Sequence, residues 1–189
     1  TNLNFRRPAS GNDKVVGITD LNIRINRCKR IALIGESGSG KSTLLSLLRG
    51  LHEPLAGHAV NADQQKIDFE SIGSTVTLFP QEPEIFENTI LYNITLGLPF
   101  SEEEVMKVCE AARFAEVVST LPAGLHTHIK EKGVNLSGGQ KQRLALARGI
   151  LAARESSIVL MDEPTSSIDP VTEKKIYNSL FETFKEKAV

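Results

Sequence analysis

The stretch Ile31-Ala32-Leu33-Ile34-Gly35-Glu36-Ser37-Gly38-Ser39-Gly40-Lys41-Ser42 decides the fold, because an apolar run, a glycine-rich loop and a basic residue follow one another directly. The apolar run of residues 31–34 predicts a short buried strand of a parallel sheet. Three glycines and two serines then break the pattern. Residues 41–49 place their leucines with helical spacing, so the sequence predicts a strand, a loop and a helix in immediate succession.

The loop fits the phosphate-binding pattern G-x-x-x-x-G-K-[ST], with Thr43 as the next candidate beyond it. Its members are Gly35, Glu36, Ser37, Gly38, Ser39, Gly40, Lys41 and Ser42. Glycines let the backbone curve around a phosphate with its N–H groups pointing inward. Lys41 can reach the β- and γ-phosphates, and the Ser42 hydroxyl can bind Mg²⁺. The alternative is a flexible turn beside an unrelated lysine, which the flanking strand and helix disfavour.

A second apolar run, residues 158–161, predicts another buried strand, and it ends at two acids, Asp162 and Glu163. A carboxylate at the C-terminal edge of a parallel sheet can face the same magnesium ion, which makes Asp162 a candidate metal ligand. Strand alternation would point Glu163 to the opposite face, where it could accept a proton from an attacking water. Taken alone, two acids at a strand end also fit a solvated edge or a helix cap.

The remaining patterns complete an α/β fold with a parallel sheet. Residues 75–79 predict a strand stopped by Pro80, and residues 21–25 alternate as a half-exposed strand. Capping residues predict helices after Ser101 and at Asp169-Pro170, and residues 140–151 have helical periodicity. We therefore expect one domain over residues 1–189, with a small antiparallel β portion near the N-terminus and an inserted helical subdomain at about 84–152.

Composition gives no sign of a nucleic-acid partner, since 22 basic residues balance 23 acidic ones. Cys28 and Cys109 have neither disulfide-framework nor zinc-site spacing. No apolar run approaches the roughly 18 residues of a membrane span, so we expect this piece to be soluble. The four histidines have no catalytic spacing, which favours surface positions for them.

The segment Leu136-Ser137-Gly138-Gly139-Gln140 resembles the signature of ATP-binding cassette (ABC) ATPases, and it stands between the glycine loop and the acidic strand end, in that family's order. The resemblance covers essentially the whole chain. It implies binding and hydrolysis of ATP with Mg²⁺, by two cassettes paired head to tail. The residues from Ser137 to Gln140 would then complete the ATP site of a partner, identical or not. Without the other motifs, Ser-Gly-Gly would fit a plain helix cap.

Further segments are similar to the exporter branch of that family. Gln81 resembles the glutamine of its Q-loop, which binds Mg²⁺ and supports catalysis, and residues 166–169 resemble its D-loop. Residues 131–133, Glu-Lys-Gly, resemble the acidic loop that precedes the signature in exporters. The resemblance implies ATP-driven transport, namely export, at the cytoplasmic face of a membrane. A membrane-spanning portion, fused upstream of Thr1, would dock near residues 81–93.

Two departures from the family bear on the site. Arg7 stands where an aromatic residue usually stacks on adenine, and a guanidinium stacking on the base and a solvated surface residue both fit. The family's switch histidine is expected about 30 residues beyond Glu163, and none of the four histidines follows Glu163. We therefore expect a C-terminally truncated domain, with Ala188 beginning the next strand. The rival functions are a cassette that serves a non-transport process and one that binds ATP without turnover.

Overall fold

The computed structural model describes residues 3–6, 17–61, 63, 65–130 and 135–189. The chain divides into two compact units. The first consists of Thr1–Leu78, Ser156–Leu160 and Glu186–Val189, and the second of Phe79–Glu155 and Met161–Lys185.

The first unit contains most of the strands. They are β1 (Leu3–Arg6), β2 (Gly17–Leu21), β3 (Ala59–Val60), β4 (Lys66–Ile67), β5 (Val76–Phe79) and β6 (Ile158–Met161), of which the last two end in the second unit. Two helices accompany them, α1 (Lys41–Leu48) and α2 (Phe69–Ser74). β1 pairs with β2, and β3 with β4, in antiparallel fashion, as predicted for a β portion near the N-terminus.

Strands β5 and β6 are neighbours in one sheet, and the hydrogen bonds between them show that they run parallel. The amide of Ser157 donates to the carbonyl of Thr75, and four residues further along β5 the carbonyl of Phe79 accepts from Asp162, both at 2.9 Å. On the other side of β6, Ala188 forms a parallel bridge with Ile158. The predicted parallel pairing is therefore confirmed. Ala188 forms an isolated bridge rather than an assigned strand, so a strand beginning there stays a prediction.

The prediction of a buried strand at residues 31–34 is wrong. These residues have no strand assignment, and Ile34 is 94% exposed. The amide of Ile31 donates to the carbonyl of Val189, and the amide of Val189 donates to the carbonyl of Lys29. Within the described part of the chain the ladder reaches no further, so residues 32–34 lack the neighbours that a buried strand requires.

The core of the first unit forms around α1. Leu45 packs with Val76 of β5 and Leu160 of β6 in one buried cluster. Leu44 and Leu47, from the same helix, form a second cluster that Ile18 and Leu21 partly cover. Both clusters contain leucines of α1. The packing of these leucines fixes the position of α1, and with it the N-terminus of that helix, within the first unit.

The second unit is mostly helical. Its helices are α3 (Ile90–Thr95), α4 (Glu102–Ala111), α5 (Ala115–Thr120), α6 (Gly138–Ala152) and α7 (Pro170–Thr183), with short 3₁₀ turns at Gly124–His126 and Ala153–Glu155. The predicted capping box of Ser101 and Glu104 opens α4, and Asp169 caps α7 as expected. A backbone hydrogen bond from Thr172 lowers the pKa of Asp169, which keeps that cap ionised.

No helix in the described part of the chain combines the length and the apolar character that a membrane span requires. Both cysteines are free thiols. Cys28 is exposed, whereas Cys109 is buried in α4, and burial raises the pKa of its thiol to about 12.

Candidate functional site

The glycine loop takes the backbone shape that its sequence predicts. Gly38 and Gly40 have φ angles of 79° and 94°, in the left-handed region that residues with a Cβ rarely adopt. At Gly35 an added Cβ would lie only 2.8 Å from the hydroxyl of Ser39. The positive φ angles at Gly38 and Gly40 therefore favour glycine, whereas a Cβ at position 35 would require the Ser39 hydroxyl to turn away.

The loop leads directly into α1 and leaves that helix end open. Gly40 is the N-cap, and no side chain in the described part of the chain caps the first turn. The ammonium of Lys41 turns back onto the loop, where it donates to the carbonyls of Gly35 and Glu36, each at 2.8 Å. Ser42, next in the first turn, is exposed, and Thr43 is half-buried. Uncapped N–H groups beside a lysine and a hydroxyl are chemically suited to an anion.

The acidic strand end differs from the prediction in one respect. Strand β6 ends at Met161, and Asp162 stays in register with β5 through its hydrogen bond to Phe79. Glu163 has a φ angle of 46°, so it has left the extended conformation and its direction is not set by strand alternation. A glutamate in the left-handed region is strained, and such strain concentrates at functional sites.

Gln81 and Glu163 are brought together in the second unit. The side-chain amide of Gln81 donates to a carboxylate oxygen of Glu163 over 3.4 Å, a long hydrogen bond between two exposed residues. The two elements that carry them are adjacent because Asp162 pairs with the end of β5, directly before Pro80. The candidate water-activating carboxylate thus lies beside the candidate Q-loop glutamine.

The predicted site residues are divided between the two units. The glycine loop, Lys41, Ser42 and Thr43 belong to the first unit. Gln81, Asp162, Glu163 and the segment from Ser137 to Gln140 belong to the second. Hydrogen bonds within each unit define the geometry of the site residues that belong to that unit.

The segment that resembles the ABC signature forms the start of α6. Ser137 is the N-cap, and its hydroxyl oxygen accepts from the amide of Gln140 at 3.2 Å. The side chain of Gln140 in turn accepts from the amide of Ser137 at 2.8 Å, which closes a capping box. The predicted helix N-terminus is confirmed. The Ser137 oxygen acts as the acceptor in this box, so the cap itself does not use the hydroxyl proton of Ser137.

The two signature glycines touch the loop after β6. An added Cβ on Gly139 would lie 3.0 Å from the carbonyl oxygen of Ser167. An added Cβ on Gly138 would lie 3.6 Å from the Cβ of Ser167. A cleft of about 230 Å³ opens here in the second unit. Its lining residues are Gln81, Glu82, Pro83, Gly138, Lys141, Gln142, Ser166 and Ser167.

Sequence reasoning missed Gln142. It is 5% exposed, and its amide group donates to the hydroxyl of Ser166 and accepts from the amide of Ser167, both at 2.8 Å. The signal was present, because Gln142 lies one turn before Leu146 on the buried side of α6. A polar residue on an apolar helix face needs hydrogen-bond partners.

A second missed group joins α6 to the segment before α3. Arg148 donates to the carbonyls of Asn93 and Glu84, at 2.6 and 2.9 Å, and lies over the ring of Phe86. Burial lowers the pKa of this guanidinium. Asn93 is fully buried, and its amide bonds both the N–H and the carbonyl of Phe86.

Some predictions fall outside the described residues, namely those on Arg7 and on Glu131, Lys132 and Gly133. Of the four histidines expected at the surface, His58, His126 and His128 are exposed, whereas His52 is half-buried. The ring of His126 pairs with the carboxylate of Glu102 at 2.9 Å.

Comparisons with known proteins agree with this geometry. The family model described as ABC transporter matches residues 18–166. The chain is 37% identical, over 163 residues, to the glutathione/L-cysteine transport system ATP-binding/permease protein CydD of Bacillus subtilis, covering 85% of this chain and 28% of that protein. It is also 37% identical, over 173 residues, to the human mitochondrial iron-sulfur clusters transporter ABCB7, covering 90% of this chain and 23% of that protein.

A solved structure of a bacterial Atm1-family ABC exporter with ATP bound superposes with a TM-score of 0.84 at 32% identity, covering 98% of this chain and 32% of that one. This likeness confirms the predicted fold, a P-loop α/β core with a parallel sheet. The chain spans about a third or less of the length of these relatives. From the family match and these likenesses, the chain belongs to the ABC transporter family, as a nucleotide-binding domain of the exporter type, a class of ATPases.

Proposed function

We propose that this chain binds and hydrolyses Mg-ATP to drive the export of a substrate across a membrane, acting as one nucleotide-binding domain. The observation that carries the proposal is the uncapped N-terminus of α1, with Lys41 folded onto the carbonyls of its own loop. Those carbonyls are weak partners for an ammonium compared with the phosphates of a nucleotide. Binding of ATP would therefore draw Lys41 from the loop to the β- and γ-phosphates, while the loop amides hold the remaining oxygens.

The proposed magnesium ligands fit the ion's chemistry. The hydroxyl of Ser42, the carboxylate of Asp162 and the side-chain carbonyl of Gln81 are hard oxygen donors, which Mg²⁺ prefers. Magnesium usually keeps several waters and takes its other ligands from phosphate oxygens, so few protein ligands are needed. Bound there, the ion would neutralise charge on the β- and γ-phosphates.

The proposed hydrolytic step uses Glu163 as general base. The carboxylate would accept a proton from water as the water oxygen bonds to the γ-phosphorus. The bond from that phosphorus to the bridging oxygen breaks, and ADP and phosphate leave. Gln81 would help to orient the water, because its amide already lies against the carboxylate of Glu163. Phosphoryl transfer depends mainly on such positioning and on charge stabilisation.

A second nucleotide-binding domain, identical or not, would complete each site. Its Ser137 hydroxyl and the amides of Gly138 and Gly139 would bind the γ-phosphate held by the first chain. These groups stand at the N-terminus of α6, where the helix dipole favours an anion. The capping box does not use the hydroxyl proton of Ser137, which supports this role.

The membrane-spanning part of the transporter would dock near residues 81–93, at the cytoplasmic face of the membrane. Two partly exposed aromatic rings within this segment support the proposal, since Phe86 is 39% and Tyr92 40% exposed. The rings pack edge to face, with centroids 6.5 Å apart. Aromatic side chains that remain partly exposed on a surface are typical of interface anchors. No nucleic-acid partner is proposed.

The testing variant is Glu163→Gln, which neutralises the proposed base and leaves the phosphate-binding groups intact. We expect phosphate release to fall by about 10²- to 10⁴-fold, as for loss of a positioned proton acceptor. With Mg-ATP, light scattering should then detect a stable pair of chains that dissociates when ATP is removed. Unchanged phosphate release would refute the role of Glu163. A chain that hydrolyses ATP fully as a monomer would refute the two-chain site.

A further inference from the structure

Gln142 ties the signature end of α6 to the loop that follows β6. Its side chain is almost wholly buried, and it uses both ends of its amide, one on the hydroxyl of Ser166 and one on the amide of Ser167. Residue 142 lies in the second turn of α6, one turn beyond the capping box at Ser137. A buried amide with two short hydrogen bonds to one dipeptide holds that dipeptide in a single orientation.

A separate set of contacts fixes the same two elements. Gly139 lies so close to Ser167 that an added Cβ would meet the carbonyl oxygen of Ser167 at 3.0 Å, and Gly138 lies at ordinary contact distance from the same residue. The glycine amides proposed to bind phosphate are therefore packed against the residue whose backbone N–H Gln142 holds. Ser166 and Ser167 are themselves exposed, so packing from outside does not keep them in place within the described part of the chain.

From this geometry we propose that Gln142 is a positioning residue, which locks Ser166 and Ser167 to the signature so that both meet a second chain and its ATP as one rigid surface. The inference rests on the proposed two-chain site and adds a residue to it. Gln142 acts through Ser166 and Ser167, and it is not a catalytic residue. Preorganisation of this kind strengthens association, because the loop need not be ordered when the two chains meet.

The test uses Gln142→Met, which keeps the length of the side chain and removes both hydrogen bonds. Gln65→Met is the matched control, since it makes the same chemical change at an exposed position. The first measurement is hydrogen exchange in the absence of ATP. Exchange at residues 166–168 should become about tenfold faster in Gln142→Met and stay unchanged in the control.

The second measurement is the pairing of chains with Mg-ATP, made in the Glu163→Gln background by light scattering. Gln142→Met should weaken pairing by about tenfold. Calorimetric affinity of the dilute, unpaired chain for Mg-ATP should stay within about twofold, because the glycine loop is untouched. A purely structural role would lower the unfolding temperature and leave the pairing of folded chains unchanged.

The outcomes separate this inference from the proposed function. If the Glu163→Gln parent does not pair with Mg-ATP, the two-chain site itself is refuted, and this inference with it. If the parent pairs and Gln142→Met pairs equally well, only the role of Gln142 is refuted. Unchanged exchange at residues 166–168 also refutes it. If Gln142→Met fails to fold, Ser166→Ala removes one of the two bonds at an exposed position and must show both effects at smaller size.

Discussion

A methyl group on Gly149 would lie 2.3 Å from the ring of Phe79, so α6 and the end of β5 approach more closely than any larger residue allows. The ring is 2% exposed and packs edge to face on Phe184, with centroids 6.1 Å apart. Phe79 precedes Pro80 and Gln81, so this contact supports the backbone that carries the Q-loop glutamine.

Gly149→Ala is expected to destabilise the chain. Overpacking in a buried site costs about 1–3 kcal/mol, which outweighs the roughly 0.5–1 kcal/mol by which alanine favours a helix over glycine. Urea unfolding measures the difference. Gly138→Ala is the control in the same helix, because the nearest atom to its added Cβ is 3.6 Å away. Equal stability of Gly149→Ala and the parent would show that the Phe79 ring moves aside at no cost.

Glu104→Gln should make stability less dependent on acid pH. Arg154 and the capping box lower the pKa of Glu104 from 4.5 to about 2. Because the folded pKa is the lower one, the ionised carboxylate stabilises the fold above pH 4.5, and this contribution disappears as the pH falls towards 2. Glutamine keeps the acceptor that the capping box needs and loses the charge that Arg154 binds.

Urea unfolding across this pH range provides the measurement for Glu104. The parent should be more stable than Glu104→Gln near neutral pH, and the two should converge in acid. Both side chains are partly exposed, so added salt should narrow the gap. A difference that stays constant with pH would mean that the carboxylate charge plays no part.

Local patterns in the sequence predicted the parts of the site that depend on neighbouring residues. The residues of the glycine loop lie within a few positions of one another, and so do Ser137 and Gln140 of the capping box. Residue types at these neighbouring positions were therefore sufficient to predict both features. Long-range contacts were not predictable in this way. Gln142 and Ser166 are 24 positions apart, and Arg148 and Asn93 are 55 apart. The periodicity of one segment does not indicate which residue of a distant segment its side chains will contact.

The failure at residues 31–34 has a related physical cause. An apolar run indicates that a segment can be buried, but whether it is buried depends on the strands that pair with it. Ile31 bonds to Val189, whereas Ile34 stays exposed in the described part of the chain. The left-handed backbone of Glu163 also escaped prediction, because a glutamate, like other residues with a Cβ, rarely adopts a positive φ angle.

Lys41→Ala should abolish tight binding of Mg-ATP. The ammonium is the cation proposed to bind the β- and γ-phosphates, and loss of a charge-assisted contact should weaken affinity by about tenfold or more. Calorimetric titration gives the dissociation constant. Lys107→Ala is the control, since its side chain is 65% exposed and pairs with Glu103 within α4. An unaltered dissociation constant for Lys41→Ala would remove this lysine from the nucleotide site.

Arg148→Lys should loosen the segment between Gln81 and α3, although the charge is kept. The guanidinium donates to the carbonyls of Glu84 and Asn93 from two different nitrogens. The single ammonium nitrogen of a lysine cannot reproduce this forked pair of hydrogen bonds. We expect a loss of about 1–3 kcal/mol in unfolding free energy. Hydrogen exchange should also quicken over residues 84–94, in keeping with their role as the proposed docking surface. Arg24→Lys, at an exposed position, should change neither quantity. If exchange at residues 84–94 were the same in Arg148→Lys and the parent, the fork would not hold this segment, and the fully buried side chain of Asn93 would have to hold it alone.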